Sequence, residues 1–149
     1  MTPLVEDATG NNLTYRIIGA AMAVHNQIGQ GYKEEVYEKA LAVEVSQHGM
    51  TVVRQHPVSV AYGGEQVALF YLDLFVEGQV VVEVKAFSHQ MTNDERSQVI
   101  NYLKATGAPV GPLLNFGRRK MEYRRIFPGS AGESGLLDRL GRDNVKKSG

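Results

Sequence analysis

Asp73, Glu83 and Lys85 are the residues of this chain whose types and spacing could do chemistry. From Tyr71 to Lys85 the sequence alternates. One set, Leu72, Leu74, Val76, Val80, Val82 and Val84, is wholly aliphatic and must face a core. The other set carries Asp73, Glu83 and Lys85, with Tyr71, Phe75 and Val81 between them. The pattern predicts a β-hairpin turning at Gly78. A three-residue loop, Glu77-Gly78-Gln79, with Gly78 near the left-handed region, sets Asp73 opposite Glu83 and keeps the aliphatic set together. A two-residue loop would send the carboxylates to opposite faces, because a slip of one residue swaps every side chain across the sheet.

Two hard oxygen ligands a few Å apart suit Mg²⁺ or Mn²⁺, which takes carboxylate, water and phosphate oxygens. A lysine two residues after Glu83 points the same way. It could orient or deprotonate an attacking water, or stabilise charge developing on a phosphate. The competing reading is a solvated outer face with an ordinary salt bridge among these residues, between Glu83 and Lys85 or across the hairpin with Asp73.

The elements that must position these groups follow from periodicity and punctuation. A helix is predicted from Thr14 to about Gln27, with Ile17, Ile18, Ala21, Met22 and Val24 as its apolar stripe. A second runs from about Lys33 to His48, with Val36, Tyr37, Ala40, Leu41 and Val45 inward and Gly49 as its stop. Thr51–Arg54 and Pro57–Tyr62 read as extended. Gly63-Gly64 then turns the chain into a strand over Gln66–Val76, followed by Val80–Lys85. Thr92-Asn93-Asp94-Glu95 is a capping box opening a helix that ends near Thr106 at Gly107. Val110–Phe116 and Met121–Phe127 are the last strands. The expected fold class is α/β (α+β), a central mixed sheet flanked by helices. The expected organisation is a flexible N-terminus over 1–13, one domain over 14–127 and a mobile tail over 128–149, with a weak amphipathic turn at Leu136–Leu140.

At 149 residues the chain makes one domain, enough to bury roughly 70% of its unfolded surface. There is no cysteine, so disulfides and thiolate metal sites are excluded, which suits a reducing cytoplasm. No apolar run or basic-then-apolar leader points to a membrane. Formal net charge is zero. Any nucleic-acid binding must therefore come from local patches and not from the protein's overall field.

Five motifs follow one another in order: Gly31-x-x-Glu34-x-x-Tyr37, Asp73, Glu83-x-Lys85, Gln98-x-x-x-Tyr102-Leu103 and Asn115-Phe116-Gly117. Together they resemble the small bacterial GxxExxY family within the PD-(D/E)xK nuclease superfamily, over about Thr14 to Phe127. The resemblance implies a restriction-endonuclease-like core and a metal-dependent phosphodiesterase. It implies that Asp73, Glu83, the Val84 backbone carbonyl and Glu34 hold Mg²⁺ or Mn²⁺. Lys85 would then serve the attacking water, with Gln98 and Tyr102 supporting the site and the nucleic-acid backbone.

The residues themselves leave alternatives beside these roles. Gln98 and Tyr102, four apart, share a helical face, but Tyr102 could equally be a core aromatic with its hydroxyl at the rim. Glu34 lies in the first turn of its helix, where the dipole favours a carboxylate regardless of any metal. Tyr37 reads as core packing, and His25, in the last turn of the first helix, as structural. His48, His56 and His89 have no metal-site spacing.

Arg118, Arg119, Lys120, Arg124 and Arg125 crowd one span with a single acid, Glu122. They offer a phosphate track, with Tyr123 placed to stack on a base, or alternatively a charge-protected edge strand. The functional expectation is a nuclease using metal-activated water on nucleic acid, DNA ahead of RNA, with no membrane involved. Cleavage would be either structure-directed or weakly specific, or a second copy or a recruiting protein would supply recognition. The alternatives are a catalytically inert nucleic-acid-binding module and a partner-binding protein on the same fold.

Overall fold

The computed structural model describes residues 11–129. The Leu136–Leu140 turn and residues 1–10 lie outside that range. Eight elements follow in order: α1 (Asn11–Ile28), α2 (Glu34–Gln47), β1 (Val52–Tyr62), β2 (Glu65–Val76), β3 (Val80–Lys85), α3 (Asn93–Thr106), β4 (Gly111–Asn115) and β5 (Glu122–Ile126).

The hairpin alternation organises everything else. Leu74 pairs with Val82, Phe75 with Val81 and Val76 with Val80, which leaves the three-residue loop Glu77-Gly78-Gln79. Gly78 sits at φ 63, in the left-handed region that glycine tolerates. Glu77 is also left-handed, at φ 54. It is held there from both sides: its amide donates to the Thr51 carbonyl at 2.8 Å and its carboxylate accepts from the Thr51 amide at 2.6 Å. The loop is thereby tied to the start of β1, which fixes the register.

The sheet order is β1-β2-β3-β4-β5, antiparallel except between β3 and β4, which run parallel and are joined through α3. Helices α1 and α2 cover one face. Their Leu13, Ile17, Tyr37, Leu41 and Val45 pack with Leu74, Val82, Val84 and Phe116. Helix α3 covers the other, burying Val99, Ile100, Tyr102 and Leu103 against Val81, Leu113 and Ile126. Its capping box forms as predicted. The Thr92 hydroxyl accepts from the Asp94 amide at 3.2 Å, and Glu95 accepts from the Thr92 amide at 2.7 Å.

Three expectations are corrected. The first helix starts at Asn11, not Thr14, because Leu13 and Thr14 are fully buried and extending the helix carries Leu13 into the core. The two extended stretches after Gly49 form one strand, β1, and the irregularity between them appears as Gln55 in the left-handed region at φ 53. Leu72 is buried as predicted but joins the α3-side core, not the α1/α2 core of Leu74. The ladder keeps its register from Arg54–Leu74 to His56–Leu72 across the left-handed Gln55, and Leu72 and Leu74, on either side of Asp73, pack into different cores.

Candidate metal and active centre

The left-handed Gln55 and the end of the β2–β3 ladder fall at the same place, beside Asp73. Beyond Leu74 and Val82 the two strands part, and Asp73 uses its side chain to fill the gap. Its Oδ2 accepts the Val84 amide at 2.8 Å. Glu83, only 5% exposed, turns one carboxylate oxygen to Lys85 Nζ at 3.3 Å, while its Oε1 is buried with no hydrogen-bond partner. Lys85 in turn donates to Gln98 Oε1 on α3 at 3.3 Å, and Gln98 hydrogen-bonds the Tyr102 hydroxyl. The structure thus brings Asp73, Glu83, Lys85, Gln98 and Tyr102 together at the seam between the hairpin and α3.

The electrostatics of this seam are those of a site lacking positive charge. Burial pushes the Glu83 carboxyl up to about 8, with the nearby Asp73 charge adding to the effect and Lys85 opposing it. Burial likewise lifts Asp73 to about 6, against the lowering pull of the Val84 amide. Both folded values lie above the unfolded ones, so the folded chain binds more protons across that interval. The contribution of this pair to stability is therefore greatest below the unfolded carboxyl range and falls as pH rises through about 6 and then about 8. In chelator, the melting temperature is expected to drop from pH 5 to pH 8.5, and Glu83→Gln should flatten that drop. A wild-type melting temperature that rises over the interval would contradict the assignment.

The buried, unpartnered Glu83 Oε1 tests whether a metal fits. A buried carboxylate oxygen without a donor is costly, and a hard cation is the partner its chemistry suits. Among the described residues no group of three metal-holding acidic or histidine side chains converges. Two carboxylates at one seam nonetheless suit Mg²⁺, which keeps several waters and commonly takes one or two carboxylates. The residues present fit the ion.

Helix α2 supplies the rest of the acidic surroundings. Glu34 is exposed in the first turn, and its charge acts on both Asp73 and Glu83. One turn later, Glu38 is 6% exposed and exerts a stronger influence on Asp73 than Glu34 does. It accepts from Arg54 Nε at 3.1 Å and from Gln55 Nε2 at 3.0 Å. Sequence reasoning overlooked Glu38. The spacing Glu34-x-x-x-Glu38, which stacks two acids on one helical face, was the available signal.

Other motif residues hold the scaffold. Tyr37 stacks on Phe116 at 4.8 Å, and its hydroxyl donates to the Gly29 carbonyl at 2.6 Å. His25 Nε2 lies 2.9 Å from the Arg118 carbonyl. Asn115 is fully buried. Its Oδ1 accepts from the amides of Phe87 at 2.8 Å and Gly117 at 3.1 Å, while Nδ2 donates to the His89 carbonyl and to Glu122. Glu122 also accepts the Met91 amide at 3.1 Å. This knot fixes the loop leading from Lys85 to α3, and so the distance between Lys85 and Gln98.

The basic cluster does not form one surface. Arg124 pairs with Leu113, which pairs with Glu83, so Arg124 shares the Glu83 face of the sheet. Arg125, next in the strand, faces the other way, and its Nε donates to Thr14 of α1 at 2.8 Å. Arg118 and Arg124 stand 3.8 and 3.9 Å from Glu122. Arg119 and Lys120 line a hollow beside His25 and Asn26 on the α1 side. The expected track is divided because neighbouring strand residues alternate.

No helix among the described residues is long and apolar enough to cross a membrane. In comparisons with known proteins, a family model described as the PD-(D/E)XK nuclease superfamily matches residues 11–126. No curated protein matches the chain.

Proposed function

The chain belongs to the PD-(D/E)XK nuclease superfamily, and from that premise we propose that it is a metal-dependent nuclease of the GxxExxY branch, hydrolysing phosphodiester bonds in DNA ahead of RNA. The observation that carries the reading is the pairing of half-buried Asp73 with buried Glu83, with one Glu83 oxygen unpartnered and both carboxyls lifted by desolvation. Asp73, Glu83 and the Val84 carbonyl would hold Mg²⁺ or Mn²⁺, with Glu34 reaching the same field from α2. When bound, the ion lowers the pKa of the attacking water and offsets charge at phosphorus.

The chain's own residues do the rest. Lys85, held between Glu83 and Gln98, presents a fixed donor at the rim, aimed at an attacking water or a phosphate oxygen. Fixing it beforehand removes the reorganisation that a free lysine would undergo during the reaction. Tyr102 braces Gln98, and Asn115 and Glu122 hold the loop that sets their spacing. Sequence-specific targeting, where cleavage requires it, would come from a second copy or a recruiting protein. The test is incubation of the purified chain with single- and double-stranded DNA and RNA in Mg²⁺, Mn²⁺ or chelator. Cleavage with either metal and none in chelator is expected. Binding without cleavage would favour an inert module on the same fold.

A further inference from the structure

Beside the catalytic seam lies a groove of about 830 Å³, bounded by α3 below and the outer part of the β1–β2 hairpin above. It exists because β2 pairs with β3 only across Leu74–Val76, while its pairing with β1 continues to Tyr62 and Glu65. The hairpin therefore projects past β3 as a two-stranded arm. Resting on the nuclease reading, we propose that this groove is a binding site for unpaired nucleotides of the strand being cut.

Its lining selects bases over phosphates. The arm contributes Ala61, Ala68 and Phe70, and α3 contributes Asn101, Lys104 and Ala105. One lysine against one acid, Asp94, leaves little net charge, whereas duplex binding is dominated by cations on phosphates. Phe70 remains 42% exposed although its ring already meets Tyr102 at 5.7 Å, with the planes tilted by 56°. An exposed aromatic on a rigid strand is a stacking platform for an unpaired base, and Asn101 offers both a donor and an acceptor to a base edge. The groove is also continuous with the catalytic residues. Gln98 and Tyr102 line it while Gln98 holds Lys85. A strand whose phosphate lies at Asp73 and Glu83 would run its next bases into the groove.

The test uses fluorescein-labelled oligothymidylate and oligouridylate of about 12 nucleotides, within the span such grooves take, and a duplex of equal length, all in chelator. Tighter binding of the single strands than of the duplex is expected, with the DNA and RNA arms identifying the preferred sugar. Phe70→Ala and Ala105→Glu, both at exposed positions, should weaken single-strand binding, the first roughly tenfold, the range for losing a stacked base, the second by setting a carboxylate against the strand. Duplex binding and Mn²⁺ affinity should be unchanged. A 5-iodouracil strand should cross-link to the arm or to α3. Equal affinity for single strand and duplex, unaltered binding in both variants, or cross-links confined to Arg118–Arg125 would overturn the proposal. Cleavage of duplex by wild type, undiminished in Phe70→Ala, would remove the groove and keep the nuclease. Absence of cleavage with intact single-strand binding would do the reverse.

Discussion

Replacing Lys85 with alanine is expected to lower metal-dependent cleavage by roughly 10²-fold or more, the effect of losing one preorganised charge partner at the reacting centre. The fold should persist, because Lys85 contributes its ammonium at the seam while Val84 and Val82 fill the core behind it. Its removal also takes away the cation that lowers the Glu83 pKa, but the metal site itself should stay largely intact. Affinity for uncleaved nucleic acid should change far less, since one cation among several phosphate contacts carries only part of it. Cleavage within a factor of a few of wild type would remove Lys85 from the chemistry.

Gly117→Ala should produce the largest loss of stability. A Cβ there would lie 2.4 Å from the Ala86 carbonyl carbon and from the Phe87 carbonyl oxygen. Both are backbone atoms, and they belong to the loop that Asn115 fixes. Neither can yield as a side-chain tip would, so the loop must move, the Asn115 bonds to Phe87 and Gly117 must stretch, and the Lys85–Gln98 contact loosens with them. The expected cost is about 3 kcal/mol, the upper part of the range for overpacking a filled site, read as a lower denaturant midpoint. An unchanged midpoint would show that the loop is not held as described.

What the sequence disclosed was what depends on local pattern. The hairpin register was legible because two aliphatic runs around Gly78 allow only one loop length that keeps both buried. The α3 start was legible in Thr92 and Glu95, whose bonds are made within a single turn. Glu38 was not, because its burial depends on Arg54 and Gln55 arriving from another element. The change of side at Leu72 was hidden for a related reason. It coincides with the left-handed Gln55 on the neighbouring strand, and glutamine carries no mark of that conformation. Asn115 and Gly117 stood out as a motif, but their purpose, clamping the loop between Lys85 and α3, appears only when Phe87 and His89 are folded against them. Arg124 and Arg125 were a different matter. As neighbours in a strand they had to face opposite ways, and the alternation was there to be read.

Calorimetric titration of Mn²⁺ into the purified chain, alongside Asp73→Asn and Glu83→Gln, reaches most directly the question of whether the buried carboxylate pair is a metal centre. Each variant removes one hard anionic ligand at nearly constant volume. A single binding event in the wild type is expected, greatly weakened in both variants and accompanied near pH 7 by proton release, because burial holds the Glu83 carboxyl at about 8 until a cation replaces its proton. Absence of binding in the wild type, or equal binding in all three proteins, would contradict the metal-dependent reading.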